Sequence, residues 1–261
     1  MRLSRSVRLA CILLVAPMTR THAQRLPTDA TIDSLWAVDP AASLAAALVR
    51  IRRAPNDHPA LWRAARAEAT AGILSHEPQA VKAAMYRRGA DYARRAIAVG
   101  PADATSHYWL AAALGRHAMI TEFRESARLA DATLAAARAT IATDSLFAGG
   151  HAILGRLHGE ARALPLPIRI LAGRLFGVQA VREASWETGE RELRRAVALD
   201  PKAVGYRLDL AFLLVQRERW NDAYAELKTA QALPIRSVLD SALMHEIGGK
   251  VLNAHRTRRA P

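Results

Sequence analysis

Apolar residues recur at helical spacing in almost every stretch of the chain beyond its first forty residues. AASLAAALVRIRR (41–53) puts Leu44, Leu48 and Ile51 on one face, the i, i+4, i+7 pattern of an amphipathic helix. Pro55 and Asn56-Asp57 end it, and residues 58–73 carry Leu61, Trp62, Ala65 and Ala69. An alanine-rich helix over 79–99 stops at Gly100-Pro101, and Asp103 is placed to cap a helix over 104–118. The same spacing predicts helices near 120–142, 146–162, 166–176, 185–199, 203–217, 221–232 and 237–255, with Asn221 and Ser237 as N-caps. Alternating Val/Ile/Tyr runs are scarce, which excludes an all-β fold.

These helices repeat. Gly189, Leu193, Ala196 and Pro201 are matched 34 residues later by Ala223, Leu227, Ala230 and Ile235, and Pro234 lies one residue before the expected proline. Leu210, Ala211 and Leu214 fill the first helix between them. Large–small on one helix, small where its partner crosses, then a proline-marked turn is the tetratricopeptide pattern. Fainter copies precede it: Gly89, Ala93 and Ala96 before Pro101, then His107, Leu110, Ala111 and Leu114, with Ala132, Ala136 and Ala139 behind them. Leu154-Gly155 opens another unit, which an insertion over about 163–184 separates from Leu193. The expected fold is all-α: a right-handed superhelical solenoid of four degenerate tetratricopeptide-like helix pairs plus caps, over 41–256, with an inserted helix. Residues 24–40 form a lead-in and 257–261 a basic tail.

Composition adds the compartment. The 261 residues are 51% hydrophobic and 23% charged, which excludes a wholly disordered chain. Residues 1–23 open with Arg2, Arg5 and Arg8, continue through the apolar run Leu9–Ala16 and end Thr21-His22-Ala23. That is the layout of a cleavable secretory signal peptide, with a run too short to span a bilayer. No adjacent arginine pair marks a twin-arginine route, and Cys11 does not follow the apolar run, so lipidation is rejected. The expected location is therefore periplasmic or extracellular, by a Sec-type route. Removing the leader takes four arginines and the single cysteine, and lowers the formal charge from +13 to about +9. The mature chain then has no disulfide and no thiolate chemistry. Only Lys82, Lys202, Lys228 and Lys250 are lysine. Arginine and alanine richness point to a high-GC bacterial genome, so basicity is a weak argument for nucleic acid.

The segments HYWLAAALGRHA (107–118), GGHAILGRLHGEARAL (149–164) and RILAGRLFG (169–177) resemble the regulator of microtubule dynamics family. The family's His-x-x-Leu-Gly-Arg helix is matched by His151, Leu154, Gly155 and Arg156, and its basic helix ending in Phe-Gly by Arg169, Arg174, Phe176 and Gly177. Leu199 and Pro201, then Ala-Leu-Pro at 232–234, complete the order, and the likeness covers about 60–250. The resemblance implies a tetratricopeptide-like, non-enzymatic adaptor. The eukaryotic members work at membranes and the cytoskeleton. An exported bacterial chain meets no microtubules, so the family's name is not carried over as a function.

Candidate chemistry is sparse. His151 and His158 are two turns apart, roughly 10 Å, too far for one zinc ion without ligands from other helices such as His107 or His117. No HExxH, GxSxG or GK[ST] motif occurs, so no metal, cofactor or catalytic residue is assigned. Glu187, Glu190 and Glu192 cluster at a helix start, where they favour the helix dipole, and Glu190–Arg194 makes an i, i+4 pair. Arginine pairs such as Arg87-Arg88 and Arg194-Arg195 are scattered and aromatics are 5%, which argues against nucleic acid as a partner. The insertion, with Arg169, Arg174 and Phe176, is either an extra helix packed into the stack or a basic amphipathic element on an anionic membrane surface. The remaining candidate is a concave groove lined by Arg63, Tyr108, Arg156 and Phe212, suited to a peptide or a protein helix. The reading is an exported interaction scaffold; the alternatives are membrane association through 164–182 or a cryptic helical hydrolase.

Overall fold

A computed structural model describes residues 26–257, and among these every regular element is helical. The signal-peptide reading over 1–23 and most of the basic tail lie outside the described residues. The helices are α1 (Asp29–Val38), α2 (Pro40–Arg53), α3 (His58–Leu74), α4 (Gln79–Val99), α5 (Ala104–Ala118), α6 (Phe123–Thr143) and α7 (Ala148–Ala163). Next come α8 (Leu166–Ile170), which runs into a π-helical turn (Leu171–Leu175), and α9 (Gln179–Arg182). Then follow α10 (Trp186–Leu199), α11 (Val204–Gln216), α12 (Trp220–Gln231), α13 (Val238–Leu243), a second π turn (Met244–Gly248) and α14 (Gly249–Thr257).

Side-chain caps explain many of these starts. Asp39 accepts from the Ala41 and Ala42 amides ahead of α2, where Pro40 has no N–H to satisfy. Asp57, Asp103, Ser185 and Ser237 cap α3, α5, α10 and α13 in the same way. Asn221 does not: α12 begins at Trp220, which puts Asn221 inside its first turn.

The helices pack in successive pairs, α1 with α2, α3 with α4, α5 with α6, α7 with α10, and α11 with α12. The chain is thus a solenoid of tetratricopeptide-like pairs. Helices α3, α5, α7 and α11 touch in series and form one layer of the curved stack. α13 comes back against α1 and α3, so the last helices close on the first. The pairing of α7 with α10 skips the insertion, and small residues make it possible. A Cβ on Gly155 would lie 2.7 Å from the Gly189 carbonyl oxygen, so the two backbones are in contact there. The last units form the largest buried cluster among the described residues, built on Leu193, Leu208, Leu210, Leu214 and Leu227.

α1 occupies the stretch expected as a lead-in. Its Ile32 is fully buried, its Trp36 indole donates to Thr70 Oγ1 at 2.9 Å, and its Asp33 binds two arginines of α3.

The insertion divides its residues. Ala172, Val178 and Ala180 pack against Leu134 of α6, and Asp131 accepts from the Ala180 amide. α8 itself buries nothing: Leu166, Ile168 and Ile170 are exposed, as are Leu175 (75%) and Phe176.

Candidate functional site

All four residues expected in the groove stand on helices of the inner layer, Arg63 on α3. Tyr108 stands on α5, Arg156 on α7 and Phe212 on α11, one turn beyond Asp209 on the same helix. Arg156 organises this wall. Its Nε donates to Glu160 Oε1 at 2.7 Å, its Nη1 to Asp209 Oδ1 at 3.3 Å, and its Nη2 reaches Met119 Sδ at 3.6 Å, just beyond the end of α5. Arg156 and Asp209 are 20% and 17% exposed, although protein surrounds them on nearly all sides. A deep concave wall produces that combination.

Electrostatics agree with the depth. Burial pushes the Asp209 carboxyl above its ordinary value, against the opposing pull of Arg156 and Arg116. Burial works to lower the Arg156 guanidinium, but Glu160, Asp209 and Glu246 outweigh it and hold the group up. The Tyr108 phenol is pushed up to about 12 by burial and by the Asp209 charge. Tyr108 packs edge-on to Trp109 and against Phe147, its ring centroid 4.8 Å and 5.4 Å from theirs, and its ring edge lies over Gly149. Lys250 lies 5.8 Å above the Phe212 ring and holds Glu246 at 3.0 Å.

Arg63 does not join this wall as an available cation. Its Nε and Nη2 donate to Asp33 at 2.9 and 2.8 Å, Asp29 lies 3.3 Å from Nη1, and the guanidinium stacks 4.1 Å over Trp62. It is a tether for α1, and only 7% exposed. The groove expectation for Arg63 is therefore corrected: two acids of α1, outside the region expected to be helical, occupy it.

Of the insertion residues, Arg169 donates to the Arg162 carbonyl at the end of α7, whereas Arg174 is exposed with no hydrogen-bond or ion-pair partner among the described residues. Phe176 meets Phe123 edge-to-face at 5.5 Å. The histidines are occupied as structural groups: His151 bridges Glu192 and the Ser145 carbonyl, and His158 Nδ1 accepts from the Ser185 amide. Glu190 pairs with Arg194 as its spacing predicts, and also with Arg217 and Arg219.

The sequence reading did not place Glu160 and Asp209, which accept hydrogen bonds from Arg156, nor Tyr86, Arg116 and Glu246, which are among its electrostatic neighbours. The available signal was Arg116 directly after the almost wholly apolar stretch 108–115 of its helix.

A family model described as regulator of microtubule dynamics protein 1-3 matches residues 30–254. The chain belongs to this family. The regulator of microtubule dynamics fold has tetratricopeptide relatives among solved structures. The thermophilic tetratricopeptide protein TTC0263 of Thermus thermophilus is 18% identical, with a TM-score of 0.59 over 87% of this chain and 97% of that one. MamA of Desulfovibrio magneticus RS-1 is 17% identical, with a TM-score of 0.40 over 85% of this chain and 88% of the other. A MamA double mutant from RS-1 is 18% identical, with a TM-score of 0.42 over 74% and 83%. No curated protein matches the sequence.

Proposed function

We propose that this member of the regulator of microtubule dynamics family is an exported, non-enzymatic scaffold that holds a peptide or protein segment against its concave wall. What supports the reading is the placement of Tyr108, Arg156 and Phe212 on the successive inner helices α5, α7 and α11, each of them half-buried. Aromatic rings and a fixed guanidinium are the side chains that anchor peptide partners. The wall's carboxylates suit recognition better than proton transfer, because each is hydrogen-bonded to a cation: Glu160 and Asp209 to Arg156, Glu246 to Lys250. The leader over 1–23 supports export; N-terminal sequencing of the mature chain is expected to begin at Gln24.

Photo-crosslinkers placed at Tyr108 and Phe212 in the native host test the groove. One envelope protein captured from both positions is the expected result. No capture at either, with the protein folded and present, overturns it.

A second reading has its own observation. α8 projects with no buried residue, and from Ala161 to Arg182 the chain holds four arginines and no acid. Exposed Leu166, Ile170, Leu175 and Phe176 beside unpaired Arg174 suit insertion into an anionic membrane surface. No helix among the described residues is long and apolar enough to cross a membrane, so the contact would be peripheral. The protein is expected to float with phosphatidylglycerol vesicles and not with phosphatidylcholine ones, and an Arg174→Gln/Phe176→Ser variant to lose flotation. Failure of the wild type to float ends this reading.

A further inference from the structure

Arg156 has one edge that no carboxylate holds. Glu160 takes its Nε at 2.7 Å and Asp209 its Nη1 at 3.3 Å, while Nη2 faces the Met119 sulfur at 3.6 Å. Met119 is the residue just past α5, and its side chain crosses from there to α7. It is 52% exposed. The other sulfur-bearing side chains among the described residues are Met85 and Met244, both half-buried, and no cysteine lies among those residues. The Met244 sulfur packs over Gly248 within its own turn. One exposed methionine is therefore already in contact with the cation that ties α7 to α11.

A thioether is a weak acceptor, so it satisfies Nη2 poorly. It is also a group that a peroxide oxidises. The sulfur lone pair attacks one oxygen of hydrogen peroxide, the O–O bond breaks, and the products are a sulfoxide and water. Sulfur loses two electrons and the peroxide gains them. A dithiol reductase reverses the step, giving back the thioether with a disulfide and water. The sulfoxide oxygen is a strong acceptor, carried on the atom that already touches Nη2. A charge-assisted hydrogen bond to it replaces the contact with sulfur. No carboxylate has to be displaced, because Glu160 and Asp209 hold the other two nitrogens.

We infer that Met119 is a reversible oxidation site whose sulfoxide takes the free edge of Arg156. The chemistry stands on the contact between these two side chains alone. Its consequence rests on the groove reading above. Nη2 is the part of the guanidinium left for a ligand, and the sulfoxide occupies it from within the protein. Oxidation thus closes the wall's cation to its ligand and ties the end of α5 to α7.

The test treats the full mature chain with limiting hydrogen peroxide and follows each methionine by peptide mass spectrometry. Met119 is expected to gain its oxygen at least about fivefold faster than Met85 or Met244, and a methionine sulfoxide reductase with dithiothreitol to remove it. Oxidation is expected to raise the melting temperature by about 2–4 °C, the scale of one added hydrogen bond. Met119→Leu should show no rise under the same treatment. Met119→Gln, whose amide oxygen stands in for the sulfoxide, should carry the rise without oxidant and lose it on an Arg156→Gln background. If Arg156→Gln does not fold, the nitrogen-15 resonance of the Arg156 side chain decides, since it must move on oxidation. Oxidation of Met119 no faster than of the other two, or an equal melting change in Met119→Leu, overturns the site. A rise that survives without Arg156, or an unmoved Arg156 resonance, overturns the bond to Arg156. Capture from the Phe212 photo-crosslinker is expected to fall severalfold in peroxide-treated cells carrying wild type and to be unchanged in Met119→Leu. Undiminished capture with Met119 oxidised overturns the closing of the wall and leaves the groove reading intact. No capture from the reduced protein overturns the groove reading and this consequence together, while the oxidation rates and melting temperatures still decide the site.

Discussion

Arg156 Nη1 lies 3.3 Å from Asp209 Oδ1 and ties α7 to α11 across 53 residues of sequence. The same guanidinium holds Glu160 one turn along its own helix. One side chain therefore fixes both the spacing of two inner helices and the charge balance of the wall.

Replacing Arg156 by Met leaves Asp209 buried without its hydrogen-bonded cation. The expected loss is about 2 kcal/mol at neutral pH, as for other hydrogen bonds to charged groups. Asp209 is already raised by burial and rises further without Arg156. A carboxyl raised in the folded state contributes stability below its unfolded pKa and loses it as pH climbs through the folded one. The variant's deficit should therefore grow as pH rises from the ordinary carboxylate range through the raised folded value, read as urea midpoints across a pH series. A deficit that shrinks over this window contradicts the assignment.

Asp33 behaves in the opposite sense. Burial acts to raise its carboxyl, but hydrogen bonds and charges from Arg63 and Arg66 outweigh burial and hold it below the usual carboxylate range. Its contribution is present above the unfolded pKa and disappears as pH falls through the depressed folded value. Asp33→Asn should cost about 2 kcal/mol at pH 7, a figure below that of a fully buried pair because Asp33 is 40% exposed. Thermal melts of the two proteins should converge in acid, below the folded pKa. A gap that persists there rules out the ion-pair account of how α1 is held.

Gly155 is the least replaceable position in the α7–α10 crossing. A Cβ there meets the Gly189 carbonyl at 2.7 Å and the Leu193 amide at 2.9 Å, both backbone atoms that cannot rotate away. Gly155→Ala should cost about 3 kcal/mol or prevent folding. Normal stability by denaturant titration would mean that the two helices are not this close.

Glu218 takes the left-handed backbone position that ends α11, with φ of 60°. The Arg219 amide donates back to the Leu214 carbonyl at 2.9 Å, so the turn is hydrogen-bonded and the strain is confined to that residue. Glu218→Gly should gain about 0.5–1 kcal/mol, seen as a higher melting temperature. A loss would show that the Glu218 side chain does something the backbone does not.

The helical periods were readable because they are local. The face of Leu44, Leu48 and Ile51, the Asp103 and Ser237 caps and the Gly100-Pro101 stop all lie within a few residues of what they control. The spacing of Leu193 and Leu227 exposed the repeat, because each unit must bury the same face against its neighbour. α1 escaped because its apolar face is short, and its two aspartates Asp29 and Asp33 pair with arginines of α2 and α3, 21 or more residues away.

The sequence by itself determined that the chain is helical, repetitive and built on close small-residue crossings. Only the tertiary structure decided what each arginine is for. Arg63 and Arg116 stand on corresponding inner helices, yet one is occupied by Asp33 and the other has no hydrogen-bonded acceptor among the described residues. That difference depends on which distant carboxylate the curvature of the stack brings within reach, and curvature is a sum over every pair of packed helices. The exposed apolar stub at Leu166–Ile170 has the same origin: its residues are spaced for packing, and the repeat stack closes without them because α7 pairs directly with α10.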